Sequence, residues 1–133
     1  MTANILDMEL HSRLIGYAFP RASMIFFDLN AALPSVSHTF MWEVLRAVRL
    51  PLAYLRFCQS LYMTNVQRVR MGSFLSPGFV AACGVRQGCP LSPLLFATVT
   101  DVLLRRLTRR YERIVLRAFA DEIGIVAQDL SVW

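Results

Sequence analysis

A chain of 133 residues, 56% of them hydrophobic and 17% charged, has the length and the apolar content for one domain. The formal net charge is +5, every cation is arginine, and 12 of the 14 arginines lie between Arg46 and Arg117. This basic middle excludes a strongly acidic protein and would attract phosphate backbones, although a solvated helix face is by itself the more frequent explanation of such a pattern. The low charged fraction also predicts either a Leu- and Val-rich core or an apolar surface that faces further sequence or a partner.

Three further features bear on the compartment. The three cysteines lack the spacing of a zinc site and are interpreted as reduced thiols. The N-terminus lacks the pattern of a secretory signal, and the uncharged runs are too short for a membrane span. We therefore expect an intracellular protein that is neither secreted nor bound to a membrane, in either nucleus or cytoplasm.

The first half of the chain predicts one strand and two helices. Residues 1–22 show no clear period, and the apolar run 24–27 predicts a buried strand that ends at Asp28. Ser37 is expected to cap a helix that ends near Leu50. Its apolar stripe is predicted to contain Phe40, Met41, Val44, Leu45 and Val48. A second helix is expected from Pro51 to about Tyr62. Its inward residues are predicted to be Leu52, Leu55, Cys58 and Leu61.

The second half predicts two hairpins on either side of a long helix. Strands are expected at 66–71 and 79–83, with the break at 76–78. Ser92 is expected to open the helix, and four arginines cluster near its end, where they suit the helix dipole. The inward residues of this helix are predicted to be Leu95, Val99, Val102 and Leu103. The stretch 114–127 reads as strand, tight turn and strand, with the turn at 120–122.

Carboxylates at the ends of apolar strands are the candidate chemistry. Asp28 follows the first apolar run, and Asp121 and Glu122 lie at the tip of the last hairpin. A carboxylate on a buried strand is costly unless it is paired, and a divalent metal ion is one partner that would stabilise it. If Asp28 and Asp121 lie on adjacent strands, they could hold two Mg²⁺ ions roughly 3.5 to 4 Å apart. Without further information, each acid would more often be a turn or capping residue than a metal ligand.

Three blocks resemble motifs of one family. Residues 84–96 resemble the GVRQGCPLSPLLF signature of reverse transcriptases from non-LTR retrotransposons and group II introns. Residues 26–36 resemble the first catalytic motif of these enzymes, and residues 118–122 resemble their [YF]-A-D-D box. The blocks occur in the family's order and span residues 24 to 127.

The resemblance implies an α/β (α+β) fold in which a palm-like antiparallel sheet is backed by helices. The chain would be a single partial reverse transcriptase domain, residues 1–133, with a palm core at about 24–127 and with fingers and thumb largely missing. The implied activity is RNA-directed DNA polymerisation, which uses an RNA template, a DNA primer and deoxynucleoside triphosphates. The implied cofactor is a pair of Mg²⁺ ions, with Mn²⁺ as an alternative. The oligomeric state stays open.

The resemblance also assigns roles to individual residues. Asp28 and Asp121 would be metal ligands, with the backbone carbonyl of Leu29 completing the coordination and Glu122 as the third catalytic acid. The nucleotide site would contain Leu33, Arg86, Gln87 and Gly88. Template and primer would be contacted by Arg105, Arg106, Arg109 and Arg110.

The chain departs from the family pattern at two of these positions. Glu122 replaces the second Asp of the box, and Leu33 lies where the family usually has an aromatic residue under the sugar. Lysine is absent, so any cationic role in triphosphate binding falls to arginine. We therefore expect weak or absent activity from this fragment. The alternative is a non-catalytic RNA-binding remnant of a retroelement polymerase, and the third reading is an α/β domain of unrelated function.

Overall fold

The computed structural model describes residues 2–63 and 65–129 and divides the chain into two compact units. The first unit combines the residues up to Ala32 with those from Thr100 onward, and the second is Leu33–Val99. The helices are α1 (Thr2–Ala18), α2 (Ala32–Ser35), α3 (His38–Ala47), α4 (Leu52–Met63) and α5 (Ser92–Arg110). The strands are β1 (Ser23–Asp28), β2 (Val66–Gln67), β3 (Arg70–Met71), β4 (Phe74–Leu75), β5 (Phe79–Val80), β6 (Ile114–Phe119) and β7 (Glu122–Ala127). Within the described ranges, no helix is long and apolar enough to cross a lipid bilayer.

The first unit is built on an antiparallel sheet in the order β1-β7-β6. The central strand β7 is buried from Ile123 to Ala127, because it has a hydrogen-bonded neighbour on each side. Phe119 pairs with Glu122, so the connection between β6 and β7 is a two-residue turn. The predicted strand, turn and strand are therefore confirmed, except that Glu122 belongs to the strand and not to the turn.

Strand β1 forms where it was predicted, but the prediction that it is buried is wrong. Phe26 is 67% exposed, and Met24 and Phe27 are each 45% exposed. The reason is its edge position, since β1 pairs with β7 on one side only. The carboxylate at its end is likewise exposed and not buried.

Helix α1 packs on this sheet and was not predicted. Its buried residue Met8 approaches Gly124 of β7 so closely that a Cβ at Gly124 would lie 2.9 Å from the Met8 methyl group. Most of its other apolar side chains are exposed: Ile5, Leu6, Leu10, Leu14 and Tyr17. Because so little of the helix is buried, its sequence carries no apolar stripe to reveal it.

Helices α3 and α4 of the second unit largely follow the predicted stripes. The Ser37 hydroxyl accepts a hydrogen bond from the Phe40 amide (3.4 Å), which confirms the predicted cap. In α3, Met41, Val44 and Leu45 are buried as expected. The inclusion of Phe40 and Val48 in that stripe is wrong, since they are 46% and 56% exposed. They lie at the margins of the helix, where the neighbouring element no longer covers the stripe.

In α4 the buried residues are Leu55, Cys58 and Tyr62, at spacings of three and four residues. Leu52 and Leu61 were predicted to point inward, and Tyr62 was not. Leu52 is instead 59% exposed, and Leu61 is only partly buried. Burial raises the pKa of the Cys58 thiol, because desolvation disfavours the thiolate.

A long hairpin follows α4, but its turn is not where the sequence indicated. Strand β2 pairs with β5 and β3 pairs with β4, and the chain reverses at residues 72–73. Gly72 adopts a φ of +60°, which glycine accommodates without steric cost. The predicted break at 76–78 is instead a bulge, where three residues face the two residues 68–69 of the opposite strand.

Helix α5 begins at Ser92 as predicted, and Leu95 and Phe96 are buried in its first turns. The expectation that Val102 and Leu103 point inward is wrong, since each is 42% exposed. Leu104 and Leu107 are partly buried in their place. At 3.6 residues per turn, Leu104 and Leu107 are centred on a side of the helix that is rotated from the side of Leu95 and Phe96, so the covered side changes along α5.

Candidate active site

Asp28 and Glu122 lie directly opposite each other across strands β1 and β7. Asp28 is the last residue of β1 and Glu122 is the first residue of β7, and both side chains are exposed. Directly opposed residues of an antiparallel pair project from the same face of the sheet. The fold therefore puts two carboxylates on one face at one end of the sheet.

Asp121 occupies the second position of the turn that precedes Glu122. Its carbonyl oxygen accepts a hydrogen bond from the Leu29 amide (3.0 Å), which extends the pairing of β1 beyond its last residue. Ala120, the first turn residue, has a φ of +53°, where a Cβ costs about 1 to 2 kcal/mol. Strands on both sides hold this strained turn, and strain of this kind is frequent at functional sites.

The types of ligand at this end of the sheet suit a divalent metal ion. Carboxylate and carbonyl oxygens are the ligands that Mg²⁺ takes in proteins, and the backbone brings three acids together here. Among the described residues, however, no three His, Cys, Asp or Glu side chains converge closely enough to hold one ion. The metal-ligand roles of Asp28, Asp121 and the Leu29 carbonyl stay predictions.

The predicted nucleotide residues lie in the second unit, on two segments that are bonded to each other. The amide of Gly84 donates to the carbonyl of Val36, and the amide of Val85 donates to the carbonyl of Leu33, both at 2.8 Å. The Nε2 atom of His38 lies 2.8 Å from the carbonyl oxygen of Gly84, to which it donates. We call this set of bonds between residues 33–38 and 84–85 the clamp.

Glycine is required at the centre of the clamp. Gly84 has a φ of +93°, and a Cβ there would lie 2.8 Å from the carbonyl oxygen of Pro34. Both the backbone angle and the close approach exclude a side chain. The clamp bonds Leu33 to Val85, which precedes Gln87 by two residues. Two of the predicted nucleotide residues, Leu33 and Gln87, are therefore brought together.

The loop beyond the clamp is open to solvent. Arg86, Gln87 and Gly88 are all exposed, and nothing lies within 4 Å of a Cβ built on Gly88. A groove of about 600 Å³ runs beside the loop. Its lining includes Pro34, Asn65, Gln67, Cys83, Arg86 and Gln87. The open space beside Gly88 leaves room for a ligand to approach the backbone closely, while the nucleotide roles of these residues stay predictions.

Arg86 is supported from below by an aromatic ring. Its guanidinium carbon lies 5.9 Å from the ring centroid of Tyr62, within the range of a cation–π contact. The buried Tyr62 ring packs edge-on against His38 and Trp42, at centroid distances of 5.1 and 5.9 Å. No carboxylate among the described residues forms a salt bridge with Arg86.

Three residues that support the site were not predicted for these roles: His38, Tyr62, and Ser92, which anchors the loop. The buried Ser92 hydroxyl donates to the carbonyl of Arg86, which ties the loop to the start of α5. Tyr62 could have been found from its spacing of seven residues after Leu55 on one side of α4. No local signal marks His38, because its partner lies 46 residues away.

The arginines near the end of α5 differ in whether their guanidinium groups contact other side chains. Arg105 forms an ion pair with Asp101 at 2.5 Å, and the Arg110 guanidinium lies 5.9 Å from the Tyr111 ring centroid. Arg106 and Arg109 are exposed and form no ion pair with any residue that the structure describes. The cluster is accessible, and its nucleic-acid role stays a prediction.

Comparison with known sequences identifies the family. Residues 19–132 match the model of the family described as reverse transcriptase (RNA-dependent DNA polymerase). This chain belongs to the reverse transcriptase family. The matched range contains strands β1 to β7 and begins just after α1. Its mixed helices and antiparallel sheet agree with the palm-like fold that the sequence predicted.

The similar proteins are named after transposable elements. The chain is 35% identical over 107 residues to the retrovirus-related Pol polyproteins of the type-2 element R2DM of Drosophila melanogaster and the type-1 element R2 of Nasonia vitripennis. It is 28% identical over 135 residues to the transposon TX1 uncharacterized 149 kDa protein of Xenopus laevis. The matches cover 76%, 76% and 95% of this reverse transcriptase segment, which spans 10% of the length of each relative.

Proposed function

We propose that this chain is the palm segment of an RNA-directed DNA polymerase, which extends a DNA primer on an RNA template with deoxynucleoside triphosphates. The observation that carries the proposal is the pairing of Asp28 with Glu122, with Asp121 in the adjoining turn. This juxtaposition occurs in a chain of the reverse transcriptase family. We also propose that this chain acts inside the cell, as its sequence led us to expect, and that it belongs to a retroelement polyprotein, the kind of protein that two of its relatives are named as.

Asp28 and Asp121 would hold the divalent ions, Mg²⁺ or in its place Mn²⁺, together with the carbonyl oxygen of Leu29. When bound, these ions would lower the pKa of the primer 3′-hydroxyl and neutralise charge on the phosphate and the leaving pyrophosphate. The exposure of Asp28 and Glu122 leaves the site open to a phosphate. The strained turn at Ala120 would keep Asp121 beside Leu29 during the reaction.

The clamp would orient the incoming nucleotide. Leu33 would lie under the sugar, and the Gln87 amide would contact the nucleotide where Gly88 permits close approach. Arg86 would bind a phosphate of the nucleotide or of the template, with Tyr62 holding its guanidinium in place. Because the clamp bonds residues 33 and 36 to residues 85 and 84, these contacts would be pre-organised before the nucleotide arrives.

Two features support weak activity. Glu122 is one methylene longer than the aspartate of the family box, and catalytic geometry tolerates little displacement. Because the sequence has no lysine, arginine is the only permanently cationic side chain that could assist the leaving pyrophosphate. Arginine is a poor proton donor at neutral pH.

A second candidate function is that of a non-catalytic RNA-binding remnant. It is favoured by the lack of convergence of three ligand side chains within the described part of the chain, and by Glu122 and Leu33. It also accounts for the accessible arginines of α5. Only the polymerase requires the carboxylates for its activity, so the need for Asp28 and Asp121 distinguishes the two candidate functions.

Primer extension separates the two candidates. The purified chain, a labelled DNA primer annealed to RNA, deoxynucleoside triphosphates and Mg²⁺ should yield extended product. Asp28→Asn and Asp121→Asn should abolish extension, because each removes an anionic ligand and nearly preserves shape. Asp101→Asn, which changes an acid on α5, is the matched control and should retain activity. RNA binding without extension by the parent chain would favour the remnant, and an active Asp28→Asn variant would refute the proposed metal site.

A further inference from the structure

The hairpin of residues 65–81, which we call the ribbon, projects an unusual surface from the second unit. The part nearest its base pairs Val66 with Val80 and Gln67 with Phe79, and the part nearest its tip pairs Arg70 with Leu75 and Met71 with Phe74. The bulge between the two parts is fastened by reciprocal bonds at 2.9 Å, from the Val69 amide to the Ser76 hydroxyl and from the Ser76 amide to the Val69 carbonyl.

Both faces of the ribbon are open, although it is rich in apolar residues. Every residue from 66 to 75 is exposed. The exposed fractions of Met71, Phe74 and Phe79 are 66%, 57% and 61%. Met71 and Phe74 are directly opposed and therefore share one face at the tip. An isolated two-stranded ribbon is only marginally stable in water. An exposed apolar tip on such a ribbon therefore indicates a binding surface.

Charge decides what kind of occupant fits. The ribbon contains Arg68 and Arg70 and no acid, and no acid occurs anywhere from residue 44 to residue 100. The second unit holds six arginines and only Glu43, so its net charge equals the +5 of the whole chain. Neither ribbon arginine forms an ion pair with a described residue, and Arg70 donates only to the Gly72 carbonyl, at 3.3 Å. An apolar protein segment would bury these cations without a counter-charge.

We infer that the ribbon is a binding surface for single-stranded nucleic acid, with Phe74 as the stacking side chain and Arg68 and Arg70 as phosphate contacts. Arg70 pairs with Leu75 and therefore projects from the face opposite to Phe74. The long arginine side chains would reach the phosphates around the edge of the ribbon. Aromatic rings that stack on bases beside basic groups that follow the backbone are the general means of binding single strands. A duplex offers no free base face to Phe74, so the ribbon selects unpaired nucleotides. The inference deepens the proposed function, because an RNA-templated polymerase must hold template that is not yet copied.

Fluorescence anisotropy with a labelled single-stranded RNA tests the inference on the purified chain. Phe74→Leu keeps an apolar strand residue but removes the ring, and it should weaken binding by about fivefold or more. Phe74→Tyr should bind like the parent. The matched control is Phe57→Leu, since Phe57 lies on α4 in the same unit and is equally exposed at 56%. It should leave binding unchanged.

The charge contribution is measured in the same assay. Arg70→Gln should lower the slope of log affinity against log salt by about 0.7, the value for one phosphate contact on a single strand. Arg56→Gln on α4 should leave the slope unchanged. Equal effects of Phe74→Leu and Phe57→Leu, or no binding of single-stranded RNA by the parent, would overturn the inference. If single-stranded RNA binding fails these tests while the parent chain still extends a primer on a saturating template, the proposed function stands and only the ribbon inference fails.

Discussion

The Nε2 atom of His38 donates a hydrogen bond of 2.8 Å to the carbonyl oxygen of Gly84, 46 residues along the chain. This bond joins the segment after the first carboxylate strand to the loop that carries Gln87. It also places the His38 ring against Trp42 and Tyr62, so one residue links the clamp to the aromatic support of Arg86.

We expect His38→Phe to lower the free energy of unfolding by about 1 kcal/mol, because the ring can keep its packing while the Gly84 carbonyl loses its donor. His38→Gln retains a donor of similar reach and should recover part of the loss. Urea denaturation of the three proteins measures the differences. Equal stability of His38→Phe and the parent would show that the bond contributes nothing.

Two glycines of the same loop provide a matched pair. Gly84 and Gly88 both have positive φ, at +93° and +79°, but only Gly84 faces backbone atoms. Gly88→Ala should cost about 1 to 2 kcal/mol from backbone strain alone. Gly84→Ala adds a clash with Pro34 and should cost roughly 2 to 4 kcal/mol. Thermal or urea unfolding checks the order, and a larger loss for Gly88→Ala would contradict the description of the clamp.

Because the Glu122 side chain is one methylene longer than aspartate, we expect activity to rise when this side chain is shortened. Glu122→Asp should raise the rate of primer extension, by an amount between a few-fold and about 100-fold, because it returns a carboxylate to the family's length opposite Asp28. Glu112→Asp makes the same chemical change away from the sheet end and is the control. A slower Glu122→Asp enzyme would indicate that the carboxylates have been assigned wrongly.

The arginines of α5 predict a graded loss of duplex binding. Changing Arg109 and Arg110 together to alanine should weaken binding to an RNA–DNA duplex and lower the salt slope by about one to two units. Arg105→Ala should have a smaller effect, because Asp101 already neutralises that guanidinium. A salt titration by anisotropy measures both. Binding that does not change between low and physiological salt would exclude phosphate contacts by this cluster.

The sequence by itself determined the family and most element positions. The apolar runs 114–119 and 123–127 predict the β6–β7 hairpin, and the Ser37 cap and Pro51 predict the starts of α3 and α4, because these signals act between near neighbours. The blocks around Asp28, Gly84 and Asp121 likewise identified the reverse transcriptase family, which the comparison confirms.

Burial and pairing were decided only by the tertiary structure. The exposure of Phe26 follows from the edge position of β1, which no local pattern encodes. The register that opposes Asp28 to Glu122, and the bond from His38 to Gly84, join residues 94 and 46 positions apart. Such contacts depend on how separate elements pack, because a strand or a loop segment carries no information in its own sequence about which distant backbone will satisfy its hydrogen bonds.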